Sequence, residues 1–147
     1  RKVLSVPIAA GECEQTRYGF ERCASARSLD IFQPDIAYCG GITEFQKINA
    51  WASAAHADVV PHCWGLKINQ AAAASAISMV PENPGRFERR PVFLEVDQTE
   101  HPVRDSIFST AHDVIDGKLH FNDLPGLGVI IDESAMEPFV IDPKVKD

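Results

Sequence analysis

No apolar run in this chain approaches the roughly 20 residues that a membrane-spanning helix needs. The most helix-like apolar block, Ala71 to Val80, is alanine-rich and too short. No basic segment leads into an apolar one at the start, so no export leader is read there. Positive charge is in the minority, with 14 Lys and Arg against 21 Asp and Glu, a net charge of −7 and a pI near 5.2. Such a surface repels phosphates and argues against nucleic acid or an anionic membrane as a partner. Cysteine pairs at zinc-binding spacing are missing too: Cys13, Cys23, Cys39 and Cys63 form no C-x-x-C motif. Each sits in core-like sequence, so they read as free thiols in a reducing, cytoplasmic compartment, with no disulfide or metal role. The Gly/Pro-rich run Leu124 to Val129 has neither the G-x-G-x-x-G spacing nor the strand-to-helix setting of a nucleotide loop. No internal repeat and no low-complexity segment is evident. An initiating methionine is also lacking. The opening Arg1-Lys2-Val3-Leu4 already reads as a strand, as expected for the remainder of something longer.

What is present is an ordinary globular composition, 45% hydrophobic and 24% charged over 147 residues. Val3 to Ala10 is an apolar run closed by Gly11, and its proline favours a strand over a helix. An amphipathic helix is expected from Tyr18 to Leu29, then a second strand over Ile31 to Pro34. Thr43-Glu44-Phe45-Gln46 has the form of a capping box and predicts a helix from there to about Ala57. Val59-Val60 is the third strand, Ile68 to Val80 the third helix, stopped by Pro81 and Pro84, and Val92 to Leu94 the fourth strand. This alternation predicts an α/β fold with a parallel sheet and helical crossovers. After Asp97 the texture changes. Asp116-Gly117 between apolar flanks signals a hairpin, and a short helix is expected over Glu133 to Met136.

Each expected strand finishes in an ionisable residue: Glu12, Asp35, His62 and Glu95, spaced by 23, 27 and 33 positions. A strand, a helix and two loops consume about that many residues, so a parallel sheet brings all four to one edge. That edge is the active face of an eightfold barrel. Glu12 offers a hard oxygen ligand for a divalent cation such as magnesium. His62 is the residue type that takes and returns protons near neutral pH. Asp35, from the adjacent strand, is suited to fix the imidazole tautomer. Glu95 is suited to share a proton with a developing oxyanion. Taken singly, Asp35 also reads as a turn residue after Pro34, Glu12 as a solvated loop residue and His62 as a strand terminator.

Pro7-Ile8-Ala9-Ala10-Gly11-Glu12, Gln33-Pro34-Asp35, Gly40-Gly41-Ile42-Thr43-Glu44, Pro61-His62-Cys63-Trp64-Gly65 and Pro125-Gly126-Leu127-Gly128-Val129 occur in this order along the chain. In residues and separations they resemble the mandelate racemase/muconate lactonizing enzyme group of the enolase superfamily. The resemblance implies a capping domain and a modified TIM barrel in the whole enzyme. It also implies magnesium stabilising an enediolate formed by removing the proton alpha to a carboxylate. Glu12 would be the last of three acidic metal ligands, His62 the acid/base partner oriented by Asp35, and Glu95 a stabiliser of the substrate carboxylate in its enediolate form. The capping domain, the first half of the barrel, two metal ligands and the lysine-bearing motif have no counterpart here. A full barrel takes about 250 residues. Residues 1–97 would therefore be the last four strand-helix units and 98–147 an extension that packs on the capping domain. The implied substrate is a small carboxylate, a hydroxy acid or acid sugar, with dehydration ahead of racemisation. The chain alone would be inactive, and its open edges favour a homo-oligomer.

Two other classes stay open on sequence. One is a phosphate-binding α/β module using Gly40-Gly41 and the following helix; the other is a purely structural fragment.

Overall fold

A computed structural model of the chain describes residues 3–80 and 93–141. Three strands, β1 (Ala9–Ala10), β2 (Ile31–Phe32) and β3 (Asp58–Val59), form a parallel sheet in that order. Ala9 pairs with Ile31 and Ile31 with Asp58, a register carried on by Gln33 N donating to Ala10 O at 3.0 Å and Val60 N to Phe32 O at 3.0 Å. The crossovers are helical: α1 (Thr16–Ala26), α2 (Gly41–Ala54) and, after β3, α3 (Lys67–Ile77). The mixed α/β class expected from the alternation is thus observed.

Such short strands supply few ladder bonds, so the layers are held by side chains. Phe20 of α1, Phe32 of β2 and Phe45 and Ile48 of α2 are fully buried, and the rings of Phe20 and Phe32 lie 5.4 Å apart. The alanines Ala71, Ala73, Ala74 and Ala76 are the buried face of α3, where small side chains allow close approach. Gly11 sits at φ +125°, and a Cβ there would come within 2.6 Å of the Phe20 ring. Only glycine meets both demands.

Several expectations need correction. The run Val3 to Ala10 is a strand only at Ala9–Ala10, and Val3, Leu4 and Val6 are exposed. An apolar run becomes a strand only where a neighbour takes its amides, and Pro7 has none to give. The helix α2 begins at Gly41 rather than at Thr43, with Gly40 as N-cap at φ 110° and no side-chain cap bond. The glycine turn, closed by Gly41 N donating to Ile36 O at 3.1 Å, starts the helix before the capping box can. Of the fourth strand, Val92 lies outside the described residues, as do Pro81 and Pro84. Phe93 and Leu94 are in no strand, although Leu94 packs against the core. That segment is held by side chains rather than by a ladder.

The second part opens with α4 (Pro102–Ser106), capped by His101, whose Nδ1 accepts from Arg104 N at 3.1 Å. Strands β4 (Phe108–Thr110) and β7 (Ile130–Ile131) pair antiparallel across a bulge. Strands β5 (Asp113–Ile115) and β6 (Lys118–His120) form the expected hairpin. Asp116 (φ 51°) and Gly117 (φ 71°) are both left-handed, as a two-residue turn matched to strand twist requires. The expected short helix is α5 (Glu133–Met136), capped by the Asp132 carboxylate, which accepts from Ser134 N and Ala135 N. The Asn122 side chain donates to Gly128 O at 2.7 Å and holds the Gly/Pro-rich loop. Among the described residues, no helix is long and apolar enough to cross a membrane.

Candidate active site

Parallel strands deliver their C-terminal ends to one edge, and three loops leave that edge together. Glu12 follows β1, Asp35 follows β2 and His62 follows β3 by two to three residues each. The spacing argument therefore places them correctly. Asp35 is the anchor, with only 8% of the residue exposed. Its Oδ1 accepts from Ala37 N at 2.8 Å and from the Asn69 side-chain amide at 3.4 Å. Its Oδ2 is thereby turned to His62 Nδ1, at 2.7 Å. A carboxylate facing Nδ1 keeps the proton on that nitrogen and leaves Nε2 as the reactive end.

Nε2 points at two further carboxylates. Glu12 Oε2 lies 3.6 Å away and Glu95 Oε1 4.0 Å away, both beyond hydrogen-bond length. Glu95 reaches this place without a strand beneath it. Gln33 Nε2 donates to its Oε2 at 3.5 Å. Two residues on, the Asp97 carboxylate accepts from Thr99 N (2.8 Å), Thr99 Oγ1 (2.7 Å) and Arg104 Nη1 (2.6 Å). These bonds, with the Thr99 hydroxyl foremost and a smaller contribution from the Gly65 backbone, hold the Asp97 carboxyl below the usual carboxylate range. The segment bearing Glu95 is thus moored to α4.

Gln33, Asn69 and Asp97 were not among the residues marked on the sequence. Gln33 stands two positions before Asp35 on the same strand exit, which is a usable signal. Asn69 lies in the first turn of α3, and nothing in the sequence links it to Asp35.

Cys39 and Cys63, the two buried thiols, are poor nucleophiles. Burial, then the negative charges of Asp35, Glu95 and Asp97, pushes the Cys63 thiol up to about 12. Burial likewise pushes Cys39 up to about 11. Both stay protonated at neutral pH.

For a divalent cation the chain supplies little by itself. Glu12 presents a carboxylate that is 60% exposed, which suits a hard cation with oxygen ligands. Among the described residues, no group of three or more His, Cys, Asp or Glu is arranged to hold a metal ion. Glu12 by itself fits magnesium as a single oxygen ligand, short of the several such a cation takes.

A family profile described as "Enolase C-terminal domain-like" matches residues 1–135. The chain is 34% identical over 134 residues to a D-galactarolactone cycloisomerase of Agrobacterium fabrum, covering 91% of this chain and 35% of that protein. It is 36% identical over 134 residues to a D-galactonate dehydratase of Klebsiella pneumoniae, covering 90% and 34%. Among solved structures it is similar to the 3,6-anhydro-D-galactonate cycloisomerase from Zobellia galactanivorans. The TM-score is 0.83 at 34% identity, over 97% of this chain and 38% of that one. The chain spans about a third of the length of the relatives it matches.

Proposed function

The chain belongs to the enolase C-terminal domain-like family, and from that footing we propose that it is the distal part of an enzyme that moves the proton alpha to the carboxylate of an acid sugar, most plainly a dehydratase. The observation that carries the reading is the 2.7 Å contact of His62 Nδ1 with Asp35, which leaves Nε2 open between two carboxylates. Nε2 would take or return the substrate proton, with Asp35 steadying the imidazolium that forms. Glu95 would face the substrate carboxylate and share a proton with the enediolate oxygen. Glu12 would hold magnesium, whose charge, when the ion is bound, is what makes an enediolate accessible.

Residues 1–97 would be the second half of a barrel and 98–147 the extension returning to a capping domain, within a cytoplasmic enzyme. With one acidic ligand and no base opposite His62, the chain alone would bind magnesium weakly and turn nothing over. The phosphate-module reading loses support at α2. Glu44 folds over Gly40, its Cβ 3.2 Å from where a Cβ on that glycine would lie, so an approaching anion meets a carboxylate.

The test joins this chain to the preceding two thirds of the Klebsiella D-galactonate dehydratase. With magnesium and D-galactonate, D-galactarolactone or arabinonate in heavy water, at least one of them should lose the proton alpha to its carboxylate, with deuterium entering that position by exchange or, after the beta-hydroxyl leaves as water, the adjacent carbon as the enol ketonises. A folded hybrid that removes this proton from none of the three overturns the proposal.

Self-association belongs to the same reading. Val3, Leu4 and Val6 are 92%, 53% and 63% exposed, and among the described residues β1 and β3 are the edge strands of the sheet. Sedimentation of the chain at micromolar concentration should show a homo-oligomer. A dispersed monomer across that range would refute it.

A further inference from the structure

Thr16, the first residue of α1, is held at φ 55°. That region is costly for a β-branched side chain and persists only where surroundings impose it. The bonds that impose it come from the neighbouring crossover. Thr16 N donates to Cys39 O at 3.0 Å, in the loop that leaves Asp35. Arg17 N donates to Glu44 Oε1 at 2.9 Å, and Arg17 Nη1 lies 2.9 Å from each oxygen of the same carboxylate. Lys47 adds a contact at 3.2 Å from the next turn of α2. The first amides of a helix have no partner within it, so an outside carboxylate is well placed to take one. Glu44 itself packs closely over the turn before α2, where a Cβ at position 40 would lie 3.2 Å from its Cβ and 3.4 Å from its Cγ.

We infer that Glu44 is a positioning residue which, through Arg17 and the left-handed Thr16, fixes the loop bearing Glu12 against the loop bearing Asp35. Glu12 lies four residues before Thr16, and Gly11 before it is wedged against Phe20, so the loop between is pinned at both ends. The distance from Glu12 to His62 Nε2 is then set by a bridge that touches neither residue. The donors on Glu44, the Arg17 amide first, also keep its carboxyl below the usual range, so the bridge is charged at neutral pH. The inference rests on the proposed function only in assigning Glu12 and Asp35 to one site.

The two loops carry convenient reporters. Cys13 is exposed beside Glu12, and Tyr38 is exposed three residues after Asp35. In a Cys23→Ala, Tyr38→Cys background, nitroxides at positions 13 and 38 should show one narrow separation by dipolar EPR. Glu44→Ala should lose that narrow separation while helix content by circular dichroism is kept. Glu44→Gln should restore it, because the amide oxygen still accepts from the Arg17 amide; a general packing defect would not be rescued so. An unchanged distribution in Glu44→Ala overturns the inference. Should that variant not fold, the native chain decides by hydrogen exchange. The Arg17 amide should exchange at least about tenfold more slowly than an unstructured amide, and equal rates overturn the inference. Both measurements read loop spacing whether or not a hybrid enzyme turns over substrate, so this inference and the proposed function can fail separately.

Discussion

His62→Asn in the hybrid enzyme is expected to lower exchange of the proton alpha to the substrate carboxylate by about 10²- to 10⁴-fold, the usual worth of a positioned acid or base. Asparagine keeps a polar group near Asp35 Oδ2, 2.7 Å from the ring nitrogen it replaces, but has nothing that can take a proton at the Nε2 position. Magnesium affinity, measured by calorimetry on the same variant, should stay close to native because Glu12 is untouched. Isotope exchange at the native rate would remove His62 from the chemistry. Lost exchange together with lost metal affinity would show instead that the variant disturbs the whole edge.

Phe32→Ala should be the most damaging single change to the fold. Phe32 has no exposed surface, packs its ring against Phe20 and stands three residues before Asp35. Truncating such a residue costs about 3–5 kcal/mol in lost transfer energy and cavity. Whole domains have net stabilities of only about 5–15 kcal/mol. In urea, at a fixed protein concentration, the unfolding midpoint should fall by roughly 2 M for a slope near 2 kcal/mol per M. A fall of only a few tenths would mean that the helices close over the gap and that Phe32 is no keystone.

How much the sequence disclosed depends on the range of the force concerned. The order of strands and helices was legible because each helix carries its own periodicity, and the Asp116-Gly117 hairpin because its turn is local. Glu12, Asp35 and His62 were legible for a topological reason: strand-to-strand spacing alone puts them on one edge. The failures are all cases of one segment needing another. Val3 to Ile8 has a strand's composition, but the sheet pairing begins only at Ala9. Leu94 holds its place by packing and needs no ladder. Thr43 has a good cap sequence, but the Gly40-Gly41 turn begins the helix two residues earlier and Glu44 is bonded to Arg17. Asn69 and Gln33 are polar residues without local peculiarity, and only folding shows that they serve Asp35 and Glu95.

Asp97 bears on how such a chain can change over evolutionary time. One carboxylate, its side chain 6% exposed, receives Arg104 from α4 and ties in the backbone and hydroxyl of Thr99. A recombination crossover between residues 97 and 104 would bring together a Glu95 segment and a tail that had never been matched. Crossovers outside that interval would carry the mooring whole. The Glu95 segment and the tail would then be inherited together as a single cassette.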